Sequence, residues 1–308
     1  MNAVLFASTV LIWGTTWIAI AFEVGPVPVL VSVFYRFAAA AVILLGALAA
    51  TGRLRVPPRR DQPFVLAQAL CLFCCNFICF YAAAARLPSG LISVVFSLST
   101  IFNAVGARAF FGAPIAGRTV AAAALGVLGL ALLFGRDALA GLSGDALGGL
   151  GLALLGTLFF SLGNMASRRN SAAGVSPVTA SAWGMLYGAL ALLGLVALTR
   201  TPIVAPPDAR YVVALLYLAA VGSVVGFTAY LSLVARIGSS KAAYATVLFP
   251  VVALTLSTVF EGYRWHWTGF VGLALTLAGN VVIFTGAAPR RRPAATPAPA
   301  LSAPDAGS

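Results

Sequence analysis

The sequence predicts an all-α polytopic membrane protein, with ten transmembrane helices arranged as two inverted five-helix repeats around a central cavity. Three observations predict it. The 308 residues are 61% hydrophobic and only 8% charged, where soluble domains carry about a quarter charged residues. Apolar runs of roughly 20 residues, enough to cross a hydrocarbon core of about 30 Å, recur along the whole chain. Finally, the stretch from Tyr230 to Val251, YLSLVARIGSSKAAYATVLFPV, has a fainter counterpart from Tyr81 to Ile101, YAAAARLPSGLISVVFSLSTI. In each, an apolar run stops at an Arg (Arg236, Arg86), turns at once (Gly238 to Lys241, or Pro88 to Gly90) and becomes apolar again. A similar offset sets Phe111-Gly112 against Glu261-Gly262 and Gly135 against Gly286, so the chain reads as two diverged copies of one unit.

The spans run at about 3–22, 28–50, 64–85, 89–111, 118–135, 146–166, 177–199, 210–234, 241–260 and 267–287. Pro26, Pro28, Pro57, Pro58, Pro88, Pro114, Pro177, Pro206 and Pro207 all fall in connections, where a missing N–H breaks no helix. The fifth and sixth spans are short and glycine-rich, and Gly126, Gly129, Gly148, Gly149 and Gly151 allow close helix approach. The first repeat is assigned to residues 1–137 and the second to 138–288. The Pro/Ala-rich tail 289–308 has no apolar periodicity and is expected to be disordered. No basic region or cleavage site marks the first run as a cleavable signal.

Orientation follows from the basic residues of short loops. With the N-terminus inside, inner loops hold 13 Lys and Arg, and outer loops hold 5: Arg86, Arg136, Arg200, Arg210 and Arg264. Both termini are then cytoplasmic, in a multi-pass protein of the cytoplasmic (inner) membrane. Each copy has five spans, an odd number, so the second must insert upside down relative to the first. The net charge of +12 reports this orientation; it is scattered among loops and forms no face that tracks phosphates, which excludes nucleic acid as a partner. Cys71, Cys74, Cys75 and Cys79 share one apolar run. One helix cannot place four thiols around a single ion, so they read as packing; no metal and no cofactor is expected.

The residues resemble the drug/metabolite transporter superfamily, EamA-like type. The resemblance lies in Trp13-Gly14 in the first span, Arg36-Phe37 in the second, the turns into the fourth and ninth spans, and Pro250-Val251 in the ninth. It covers about residues 3–287 and implies two inverted five-helix repeats forming a permease for small organic solutes. The chain departs from the family where Ser99-Thr100 replaces a common proline and Gly112-Ala113 replaces Gly-Glu; Glu261-Gly262 inverts that pair in the second repeat.

Arg36 is the sharpest candidate for chemistry, about 12 Å into its span at about 1.5 Å per residue. A cation at that depth costs at least a few kcal/mol unless it faces a wet cavity or a partner. It can dock a substrate carboxylate or phosphate, or serve as a structural tie to backbone carbonyls or snorkel to the interface. Asn76, beside the organising turn, and Asn103 are candidate substrate contacts, as are Trp17, Tyr81, Tyr230 and Tyr244. Against these stand helix ties for the amides, including Asn164 and Asn280, and interfacial belts for the aromatics, including Trp13. Gly14, Pro88, Gly90, Gly238 and Pro250 are candidate hinge or structural positions. No Asp or Glu lies in the central part of a span, and Glu23 and Glu261 sit at span ends, which favours uncoupled diffusion or exchange over proton drive. His266, at a span edge, reads as structural. The expected function is a carrier of small organic, amino-acid-like metabolites, exporting by alternating access as a monomer or homodimer in the lipid bilayer. The alternative is a multidrug or other solute permease with proton coupling. A membrane-embedded lipid-modifying enzyme is the distant alternative, and the chain lacks the clustered carboxylates or nucleophile set it needs.

Overall fold

The computed structural model describes residues 2–139, 144–227, 229–230 and 244–285. The turn predicted at Gly238–Lys241 and the tail 289–308 lie outside them. The described residues form ten helices, numbered here in chain order: α1 (Asn2–Glu23), α2 (Val29–Ala50), α3 (Arg59–Ala84), α4 (Ser89–Phe111), α5 (Gly117–Leu139), α6 (Gly144–Ala172), α7 (Pro177–Leu198), α8 (Ala209–Val225), α9 (Tyr244–Phe260) and α10 (Trp267–Thr285). Seven are long and apolar enough to cross a membrane; the described parts of α8, α9 and α10 are shorter apolar helices.

Local chemistry sets several ends. Ser176 caps α7 by accepting from the Thr179 N–H at 3.1 Å, and Asp208 caps α8 by accepting from the Tyr211 N–H at 2.8 Å. Helix α6 outruns its predicted end at 166 and carries Arg168, Arg169 and Asn170 to its terminus. Cations suit a helix C-terminus, and here they also dock. Arg168 stacks on Phe111 (4.3 Å) and Arg169 on Phe64 (3.5 Å), Arg169 donates to Asp61 at 2.6 Å, and Asn170 donates to Gln68 at 3.0 Å. The buried Asp61 thus ties the start of α3 to the end of α6.

The packing repeats under exchange of each helix with the one five places later. Helix α5 packs on α10, α2 on α7, and α4 on α9, each pair mapping onto itself. Helix α1 lies on α9 as α6 lies on α4, α3 lies on α6 as α8 lies on α1, and α3 lies on α7 as α8 lies on α2. This is the contact pattern of two five-helix units about a two-fold axis, and an odd span count makes the units antiparallel to each other. The closest approach is between α5 and α10, where a Cβ on Gly129 would meet the Gly272 carbonyl at 2.6 Å and one on Gly272 would meet the Gly129 carbonyl at 2.5 Å. Only glycine lets two backbones approach so closely.

Candidate substrate-binding cavity

A cavity lies between the two units in the middle of the bundle; the space left free of atoms, its mouth included, is about 580 Å³. Helix α1 contributes Trp13, Thr16, Trp17 and Ile20, and α3 contributes Leu72, Asn76, Phe77 and Phe80. Arg36 of α2, Phe96 of α4, Phe160 of α6, Gly222 of α8, Phe227 just beyond it and Phe249 of α9 complete the wall. Its rings interlock edge to face. Trp17 meets Phe80 at 5.2 Å and Phe96 at 5.4 Å, Phe96 meets Phe160 at 4.7 Å, and Trp13 meets Phe227 at 5.2 Å and Phe249 at 5.6 Å. Such walls accept a flat or bulky apolar body.

Besides Thr16, whose hydroxyl is spent on the Trp13 carbonyl at 2.7 Å, two polar groups interrupt the wall. Arg36 is 3% exposed, lies 4.3 Å over the Phe77 ring and donates through Nε to Ser223 Oγ at 3.3 Å. Among the described residues no carboxylate oxygen lies within ion-pair distance of it, and its Nη1 has no hydrogen-bond partner. The cation–π contact offsets part of the burial, on the order of 1–2 kcal/mol, and leaves a cation short of hydrogen bonds. Asn76 is also buried, with Oδ1 unpartnered. A donor and an acceptor therefore stand unsatisfied on one wall, where a ligand with a carboxylate and an amine satisfies both.

Both groups sit beside π-helical turns: Cys71–Cys75 in α3, which Asn76 directly follows, and Tyr217–Val225 in α8, which holds Ser223. These are the third helices of the two units, and each carries a π-helical segment. A π-turn frees backbone carbonyls from their usual partners. In α8 the Ser223 hydroxyl donates to the Leu218 carbonyl at 2.9 Å, and Trp13 Nε1 donates to the Gly222 carbonyl at 3.2 Å. The π-turn thus binds α1 and presents Ser223 to Arg36.

The cavity is closed towards the end of the bundle where α1 and α3 finish and α2, α4 and α8 begin. There Glu23 is 0% exposed; its Oε2 accepts from Tyr81 Oη at 2.7 Å while Oε1 has no partner. Beside it Tyr211 donates to Ser32 at 2.8 Å. Further round, the Glu261 carboxylate at the end of α9 accepts from the Ser89 N–H (3.0 and 3.1 Å) and hydroxyl (2.6 Å), capping α4. A Cβ on Gly90 would meet Leu254 at 2.8 Å, and the whole of Ser89–Ser97 is buried. Because Phe111 stands at the matching place in the first repeat, this carboxylate cap belongs to one end of the two-fold pair. Replacing Glu261 by Ala removes charged hydrogen bonds of about 1–2 kcal/mol each. A cysteine at Ser93 is then expected to react roughly tenfold faster with a membrane-impermeant maleimide added from that side; an unchanged rate excludes the contact as a closure.

Of the residues expected to bind, Arg36, Asn76 and Trp17 line the cavity, and Tyr230 stands behind Trp13 at 5.1 Å. Tyr81 is fully buried outside the lining, on Glu23. Asn103 accepts from Asn164 at 3.3 Å, and Asn280 accepts from Thr100 at 2.8 Å, so both amides tie helices. Tyr244 begins α9, and its side chain, like Gly238, is outside the described residues. Gly14 faces Val252 (2.6 Å to a built Cβ), Pro88 precedes α4, and Pro250 lies buried inside α9. Two groups escape the sequence. The six cavity phenylalanines look like ordinary core, and Glu23, read as an interfacial residue, is buried. That burial removes the ground for favouring uncoupled transport.

Comparison with known proteins agrees with this architecture. The family model described as the EamA-like transporter family matches residues 1–135 and 147–285. The "Uncharacterized inner membrane transporter YedA" of Escherichia coli K12 is 28% identical over 283 residues, covering 90% of this chain and 88% of the relative. The "Probable amino-acid metabolite efflux pump" of the same strain is 25% identical over 292 residues, covering 90% and 93%. A solved crystal structure superposes with a TM-score of 0.67 at 20% identity, over 92% of this chain and 96% of the other, which shows the fold.

Proposed function

The chain belongs to the EamA-like transporter family, and we propose that it exports amino-acid-like metabolites, each a carboxylate on an aromatic or bulky apolar body, by alternating access. One observation carries this reading: a buried, incompletely bonded guanidinium, Arg36, on the wall of a cavity lined mainly by aromatic rings. Arg36 binds the carboxylate, Asn76 Oδ1 takes the amine, and Trp17 with its neighbouring phenylalanines encloses the body. Tyr230 buttresses Trp13. The two inverted units rock about the central site, with Gly14, Gly90 and Pro250 at the α1–α9 and α4–α9 seams. The excess of Lys and Arg in the loops supports an orientation with both termini in the cytoplasm and the Glu23 end outside. The efflux named for one relative supports the direction.

The test is a mass-spectrometric profile of medium from host cells expressing the chain or an empty vector. The reading expects one or a few carboxylate-bearing, apolar metabolites to accumulate outside only with the chain; identical profiles contradict export. A second reading, proton-coupled export, is favoured by the buried Glu23 carboxylate. An imposed proton gradient accelerates efflux under that reading and leaves exchange unchanged under the first.

A further inference from the structure

We propose that Glu23 is the release group of this carrier, a carboxylate that competes with the substrate carboxylate for Arg36 and discharges it towards the closed end of the cavity. The proposal rests on the reading of Arg36 as the substrate's anchor. Glu23 follows the cavity residue Ile20 by three positions on α1, and Tyr81 follows the cavity residue Phe77 by four on α3. Those spacings return to the same helix face. The Glu23–Tyr81 pair therefore stands roughly one helical turn, about 5 Å, beyond the cavity wall.

The helix itself gives no reason for a carboxylate there. It is the last residue of α1, where the helix dipole disfavours an anion. It has no exposed surface, and only one of its two oxygens is bonded. Among the described residues no cation lies within ion-pair distance, and Tyr81 is its hydrogen-bond partner in a neighbourhood that also holds Tyr211, bonded to Ser32, and Arg36, which acts on the carboxylate from farther off. Arg36 mirrors this condition, being buried, beyond ion-pair distance of any carboxylate among the described residues and with one bare nitrogen. A cation left alone at this depth is unfavourable once its substrate departs. Glu23 is the nearest group able to compensate it from inside the protein, and the Tyr81 hydroxyl holds it back in the present state. An anion on Arg36 and an anion at Glu23 repel across a few ångströms of low-dielectric interior, so each weakens the hold of the other.

The test uses the purified full-length protein with radiolabelled L-phenylalanine as the probe and phenethylamine, the same body without the carboxylate, as the control. Glu23→Gln keeps an acceptor for Tyr81 and removes the charge. It is expected to bind L-phenylalanine on the order of tenfold tighter, to release it correspondingly more slowly in proteoliposome efflux, and to bind phenethylamine as before. Tyr81→Phe, which frees Glu23 to reach Arg36, is expected to bind L-phenylalanine several-fold more weakly. Unchanged or weakened L-phenylalanine binding in Glu23→Gln overturns the proposal, as does an equal shift for phenethylamine. Lost efflux with unchanged binding also overturns it. If Arg36→Gln binds L-phenylalanine as well as the wild type does, the anchor reading itself falls, whatever Glu23 does.

Discussion

Arg36→Ala is expected to abolish transport of carboxylate substrates while leaving the protein folded. Truncating one partner of a buried charge pair costs about 3 kcal/mol, roughly a hundredfold in affinity. The free carrier stands differently. Arg36 is buried against Phe77 and Ser223 with Nη1 unbonded, so deleting it removes a desolvated cation rather than a satisfied one. Thermal stability in detergent is therefore expected to hold or rise as transport disappears. Arg36→Lys keeps the charge but not the flat fork that stacks on Phe77, and should fall between. A structural role for Arg36 gives the reverse pattern, a lowered melting temperature with residual transport, and thermal-shift measurement beside efflux separates the two.

Gly272→Val is expected to be the most damaging change to the fold. Even a single Cβ there would meet the Gly129 carbonyl at 2.5 Å and Leu133 at 2.9 Å. Helix α5 packs on α10 at this point, so backbone has to move on both sides. Overpacking of this kind costs about 3 kcal/mol or more when the clash is with main chain. Monodisperse yield on size exclusion should collapse. Gly46→Val on α2, where a Cβ would meet nothing within 4 Å, is the matched control and should behave as wild type. Equal yields for the two variants would refute the close α5–α10 contact.

Much of the fold was legible because membrane insertion is a one-dimensional problem. Apolar runs set the helices, prolines marked their ends, and the echo of Tyr81–Ile101 in Tyr230–Val251 set the two-fold pairing seen in the packing. What stayed hidden depends on contacts between distant residues. Glu23 looks interfacial from its place in α1, and its burial is made by Tyr81, 58 positions away. Phe77, Phe80 and Phe96 face a cavity rather than lipid only because α3 and α4 are turned that way. The π-turns at Cys71–Cys75 and Tyr217–Val225 have no compositional mark. Arg36 stood out because a cation is conspicuous in an apolar run, whereas Asn76 and Asn103, alike in the sequence, separate into a cavity residue and a helix tie.

The central claim is that one mid-membrane cavity binds the carboxylate of an apolar solute through Arg36 and passes it across. Exchange of radiolabelled L-phenylalanine across proteoliposomes tests it most directly, with wild type and Arg36→Ala reconstituted to equal density. The account predicts saturable exchange by the wild type, at least roughly a hundredfold slower exchange by the variant at limiting substrate, and chemically unchanged phenylalanine on both sides. Equal exchange by the two proteins, with both folded, would contradict it.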